Sequence, residues 1–143
     1  MGELYTKENK WTKNIVKDEK APELFSERAV SFLSILFGVF FGSILLSMNL
    51  HKLETKKEVF WIVSFGIIFT ILQMGLLSMV PRNLLYTYLL NTIGASILIS
   101  NYWRKYIGIN TRYRERSIWT PLILGILITI TILLISFLGN IEN

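Results

Sequence analysis

The chain has 143 residues, 52% of them apolar, with a mean hydropathy of +0.46, a net charge of +5 and no cysteine. That length suits one domain, and long uncharged runs over nearly everything past residue 28 exclude an ordinary soluble domain. The lack of cysteine removes disulfides, thiol nucleophiles and thiolate metal sites. The expected class is all-α, an integral membrane four-helix bundle in residues 22–143 behind a tail of residues 1–21.

The tail mixes Lys7, Lys10, Lys13, Lys17 and Lys20 with Glu3, Glu8, Asp18 and Glu19. So few apolar residues predict a mobile or surface-lying segment. Trp11, Ile15 and Val16 suit a short turn on lipid headgroups. Pro22 fits the first position of a helix, with Glu23 in the first turn, where the helix dipole favours an anion.

The first span is expected over about 29–50, in a run with no charge between Arg28 and Lys52. At about 100° per residue, Ser31, Ser34, Gly38, Gly42, Leu45 and Asn49 fall within about 80° of one another. This stripe of small and polar residues predicts a face against protein. Gly38 and Gly42 have the spacing for close helix packing, inside the bundle or between two copies.

Lys52, Lys56 and Lys57 mark a basic turn before a second span over about 58–80. Trp61 is its interfacial anchor, and Gly66, Thr70, Gln73 and Leu77 share one face. Gln73 is expected to meet another helix, because an unpaired amide in hydrocarbon is costly. Pro81-Arg82-Asn83 is a sharp stop, so spans two and three form an antiparallel hairpin. The third span, about 84–102, carries Asn91 and Ala95 on one side and closes with Tyr102 and Trp103.

The connection over 104–116 is the most basic, with Arg104, Lys105, Arg112, Arg114 and Arg116 against Glu115. It suits contact with anionic headgroups. The fourth span is expected over about 118–138, with Pro121, Gly125, Thr129 and Ser136 on one face. Four spans would put both termini on one side, with seven Lys/Arg there and eight in the first and third connections. The short connections weigh most, so they are assigned to the cytoplasm and the termini to the outside.

Between the ends of the four runs, past Glu58 at the start of the second, there is no Asp, Glu, Lys, Arg or His. Ion-coupled carriers and intramembrane hydrolases need such groups, so the expectation is a non-enzymatic protein without cofactor or metal. It would act by association with a membrane partner or with itself. Ser34, Gly38, Gly42, Asn49, Gly66, Gln73, Asn91 and Gly125 are its expected helix-packing residues. One alternative is a small oligomeric transporter or channel lined by Gln73 and Asn91. Another is a lipid-modifying enzyme at the interface, using His51 with Glu54 on the next turn. Nucleic acid is not an expected partner, since the basic residues sit where membrane orientation requires them.

Phe37, Gly38, Gly42, Asn49, Lys52, Pro81 and Trp119 together resemble a group of small uncharacterised bacterial membrane proteins. These share a glycine-rich first helix ending in Asn, a basic turn, and a Pro before the third span. A Trp then leads into their last span. The likeness covers about residues 24–138. The group's Gly-Pro-Leu-Ala-Gly run is replaced here by Phe41-Gly42-Ser43-Ile44-Leu45. The resemblance implies a four-span protein of the bacterial inner membrane and brings no activity with it.

Overall fold

The structure, a computed structural model, describes residues 14–108 and 110–141. In chain order it contains strand β1 (Glu23–Leu24) and helices α1 (Glu27–Phe37), α2 (Val39–Lys52), α3 (Lys56–Ser78) and α4 (Leu84–Ile97). A π-helical stretch (Leu98–Ile107) continues α4, followed by strand β2 (Arg114–Glu115) and helix α5 (Trp119–Ile141).

The first apolar run is not one rod. Gly38 sits at φ +103° and ψ 158°, a region open essentially to glycine, and there the chain reverses. The Phe25 N–H donates to Asn49 Oδ1 at 2.8 Å, and Asn49 Nδ2 donates to the Phe25 carbonyl at 2.9 Å. A straight helix would hold these residues about 36 Å apart. Ser34 lies directly against Gly42 on the facing arm. The expected span over 29–50 is therefore corrected to an antiparallel helical hairpin with its tip at Gly38. The small-residue stripe is folded on itself instead of running along one face.

The start of α1 also differs from the reading at Pro22. Ser26 is the cap, its hydroxyl accepting from the Ala29 N–H at 3.2 Å, and Glu27 occupies the first turn. Upstream, the chain runs extended. Ile15 bridges to Tyr113, and β1 pairs in parallel with β2 in the register Glu23 to Arg114 and Leu24 to Glu115. Within the segment expected as a mobile or surface-lying tail, residues 14–16 and Ala21 are thus bonded to the connection before α5, while residues 17–20 are exposed. Trp11 lies outside the described residues.

The hairpin sits between the next two helices: α2 runs along α3, α1 runs along α4, and α3 and α4 touch each other only sparsely. Close approach is set by glycine. A Cβ at Gly66 would strike Ser43 and Phe40 of α2, and one at Gly94 would strike Val39 and Phe69. At the base of α2, Thr55 N–H donates to the Leu50 carbonyl and Glu54 N–H to the His51 carbonyl. This is the helix-ending motif that places its intervening residue in the left-handed region, and Glu54 occupies that place at φ +61°.

Leu98, Trp103 and Ile107 are all buried, which accounts for the π winding beyond α4. At about 4.4 residues per turn they share one side, whereas α winding would set Leu98 and Ile107 opposite each other. They complete a core with Leu24, Phe25, Val30, Leu33, Leu46, Leu50 and Ile62. This core lies at the open end of the hairpin.

α5 stands apart. Pro121 is in its first turn, where a missing N–H costs little, and the Phe37 ring packs on Gly125. Within α5, Pro121 and Gly125 alone are buried. By length and hydropathy, α3 and α5, at 23 residues each, are able to cross a membrane. α1 and α2, with 11 and 14 residues, are each shorter than the roughly 20 residues a crossing requires.

Candidate functional site

Two polar features stand out in a chain that is otherwise apolar. The first is at the hairpin tip. α3 and α4 bring Gln73 and Asn91 together, 8% and 4% exposed. Gln73 Nε2 donates to Asn91 Oδ1 at 2.8 Å, and Asn91 Nδ2 donates to the Ile35 carbonyl at 2.9 Å. Ile35 is in the last turn of α1, where carbonyls run out of helical partners. The chain reversal at Gly38 thus frees an acceptor, and the amide pair takes it up. Neither amide lines the cavities at the Pro81 turn, beside His51 or beside Glu27.

Chemically, this relay is a clasp. Both amides spend donors on protein groups, and no buried side-chain nitrogen or oxygen among the described residues lacks a partner. Such buried hydrogen bonds are worth on the order of 1 kcal/mol each. They fix how far the hairpin reaches between α3 and α4.

The second feature is the opposite, charged end. The pairing of β1 with β2, and of Phe25 with Asn49, gathers three segments there: the chain before α1, the turn between α2 and α3, and the connection before α5. Lys17, Lys20, Arg28, Lys52, Lys56 and Lys57 share that end with Arg104, Lys105, Arg112, Arg114 and Arg116. Among the described residues the far end has Arg82 alone. The expected split, with the N-terminal segment opposite the first and third connections, is corrected: all three lie together.

The five cations expected to meet headgroups are not equivalent. Arg104 Nη2 is 3.8 Å from Glu27 Oε1. Arg114 Nε donates to the Ala21 carbonyl at 3.2 Å, which ties it into the β1–β2 strap. Lys105 lies over the Tyr106 ring and Arg116 over the Phe25 ring, at 5.5 and 4.8 Å, while Arg112 is exposed. Burial pushes the Tyr113 phenol above its usual value, opposed by a hydrogen bond with the Glu27 backbone and reinforced by the Glu115 and Glu27 carboxylates. It stays a neutral hydroxyl within the strap.

The packing residues are placed as follows. Ser34 and Gly42 face each other across the hairpin, Gly66 meets α2, and Gly125 meets Phe37. Asn49 locks the hairpin base. Gly38 is different: a Cβ there would meet nothing within 4 Å, so its role is backbone reversal and not close packing. His51 is exposed, and Glu54 reaches it only through a backbone N–H to carbonyl bond at 3.3 Å. The proposed base-and-orienter pair is therefore not assembled here.

Sequence reasoning missed Gly94, Ser43 and the Ile35 carbonyl. Gly94 is three residues after Asn91 on the same face of α4, a small-residue signal that was available. The carbonyl had no signal, because only the Gly38 reversal exposes it. No metal-binding cluster of acidic or histidine side chains occurs among the described residues. No family model, curated protein or solved structure matches the chain.

Proposed function

We propose that this is a multi-pass membrane protein acting by association, through α5, with a membrane partner or a second copy. In this reading α3, α4 with its π-helical end, and α5 cross the bilayer. The α1–α2 hairpin enters and leaves at the cationic end. A 23-residue helix is about 35 Å long, against a hydrocarbon thickness of about 30 Å. Eleven of the twelve described Lys and Arg residues lie at one end, which under the positive-inside rule faces the cytoplasm. A bacterial inner membrane suits this arrangement.

The observation that carries association is the exposure of α5. It leaves the bundle after Gly125, and from Ile126 onward every described side chain is exposed. A solute path is less well supported, because the amide pair is bonded to itself and to the Ile35 carbonyl and lines none of the three cavities described above. Catalysis is less well supported because His51 and Glu54 share no side-chain contact.

The absence of native cysteine makes the topology directly testable by single-cysteine labelling in intact cells and inverted vesicles. Cysteines at Lys17 and Asn110 should label from one side, and those at Arg82 and Asn140 from the other. Labelling of the Lys17 and Asn140 positions from the same side would require an even number of crossings and overturn the three-crossing reading. For association, cysteines at Leu127 and Leu134 should cross-link to a neighbour in native membranes. Inserted protein that yields no adduct at either position would overturn the role of α5.

A further inference from the structure

We infer that the groove between α2 and α3 at the cationic end holds one acidic phospholipid, its phosphate at Lys52 and Arg116 and one acyl chain along α2. This rests on the membrane reading above and goes beyond it by naming a ligand and its site. The cavity is about 440 Å³ and includes Ile44, Met48 and Val63 with His51, Lys52 and Arg116. That volume is within the range of small-ligand pockets and well below the volume of even two turns of a partner helix about 10 Å across.

The order of chemistry along the groove points to a lipid. Ile44, Met48 and Lys52 follow one another at four-residue steps, so they form one ridge of α2. That ridge passes from apolar at depth to cationic at the end, which is the order of an acyl chain and its phosphate. Val63 of α3 closes the apolar wall.

Arg116 arrives from the connection before α5 and is held in place. Its N–H donates to the Leu24 carbonyl at 2.7 Å, and its guanidinium lies over the Phe25 ring at 4.8 Å. No carboxylate lines the groove. Among the described residues neither Lys52 nor Arg116 has an ion pair, whereas Arg104 has Glu27. Two cations without an acidic partner among the described residues, above an apolar floor, complement an anionic amphiphile. A neutral lipid leaves the cations unmatched, and a free anion leaves the floor unused.

The test is native mass spectrometry of the full chain released from micelles doped with phosphatidylglycerol or phosphatidylcholine. Phosphatidylglycerol should be retained about tenfold more strongly, and Lys52→Gln with Arg116→Gln should remove that preference. Lys17→Gln with Lys20→Gln, an equal charge change at the same end, should leave it within about twofold. Because Arg116 also supports Phe25, Ile44→Trp provides a second variant. It fills the groove with every charge in place and should weaken phosphatidylglycerol binding to a similar extent.

Equal retention of the two lipids would overturn the site, as would equal losses in the two charge variants. Displacement of the lipid by millimolar inorganic phosphate would reduce it to a simple anion site and overturn the acyl-chain assignment. Alkaline carbonate extraction of the native membranes from which the protein is purified separates the two levels. Protein that resists extraction but shows no lipid preference sinks this inference alone, and protein that is extracted sinks the membrane reading.

Discussion

Leu33, Leu46 and Leu50 of the hairpin are fully buried, while Leu127, Leu133 and Leu134 of α5, equally apolar, are more than half exposed. Leucine content does not separate these regions. The hairpin interleaves its leucines with Ser34, Gly42, Ser43, Ser47 and Asn49, whose small or bonded side chains let a second helix approach. α5 has such residues buried only at Pro121 and Gly125, and it contacts the bundle there. Where lipid is as apolar as leucine, small and polar seams decide which helices pack.

The sharpest way to break this contrast is at Gly38. Gly38→Val should cost about 1–3 kcal/mol of bundle stability through backbone strain alone, read as a shift in unfolding in mixed micelles. Gly75, in a regular helix with open space around it, is the control. Gly75→Ala should stabilise by roughly 0.5–1 kcal/mol. Similar outcomes at both glycines would remove the reversal as the reason the hairpin forms.

Next comes the clasp. Asn91→Leu should cost about 1–3 kcal/mol by stranding both Gln73 and the Ile35 carbonyl. Gln73→Leu strands one group and should cost less. The double variant should fall short of the sum by at least about 0.5 kcal/mol. Strict additivity would mean the two amides do not act as a pair.

A gain is expected at the hairpin base. Glu54→Gly should stabilise by about 1 kcal/mol, since glycine carries no penalty at a left-handed helix end. The smallest effect belongs to α5. Leu127→Ala and Leu134→Ala should leave the chain's own stability within about 0.5 kcal/mol, yet reduce cross-linking to neighbours in native membranes. A large stability loss there would show that α5 packs on its own bundle after all.

Much of this contrast is legible in the sequence. The lengths of α3 and α5 follow from uninterrupted apolar runs, and the burial of Asn49, Gln73 and Asn91 follows from the cost of an unpaired amide. The reversal is not legible. A glycine that packs and a glycine that turns look identical in an uncharged run, and Gly38 and Gly42 are four residues apart with different tasks. The strap escaped as well, because two-residue strands show no alternation and β1 pairs with residues far along the chain. The π winding escaped because α periodicity was the template, and under it Leu98 and Ile107 fall on opposite faces.

The distance along the chain between β1 and β2 has a consequence for biosynthesis. Glu23 pairs with Arg114, so the opening strand waits for 91 further residues to be translated. At ribosomal rates of about 5–20 residues per second, that wait is roughly 5–18 s. Throughout it, the newborn hairpin has no strap over its base, and its opening strand keeps an unpaired backbone edge. Quality-control proteases would meet this protein in that interval, before its final helix has left the ribosome.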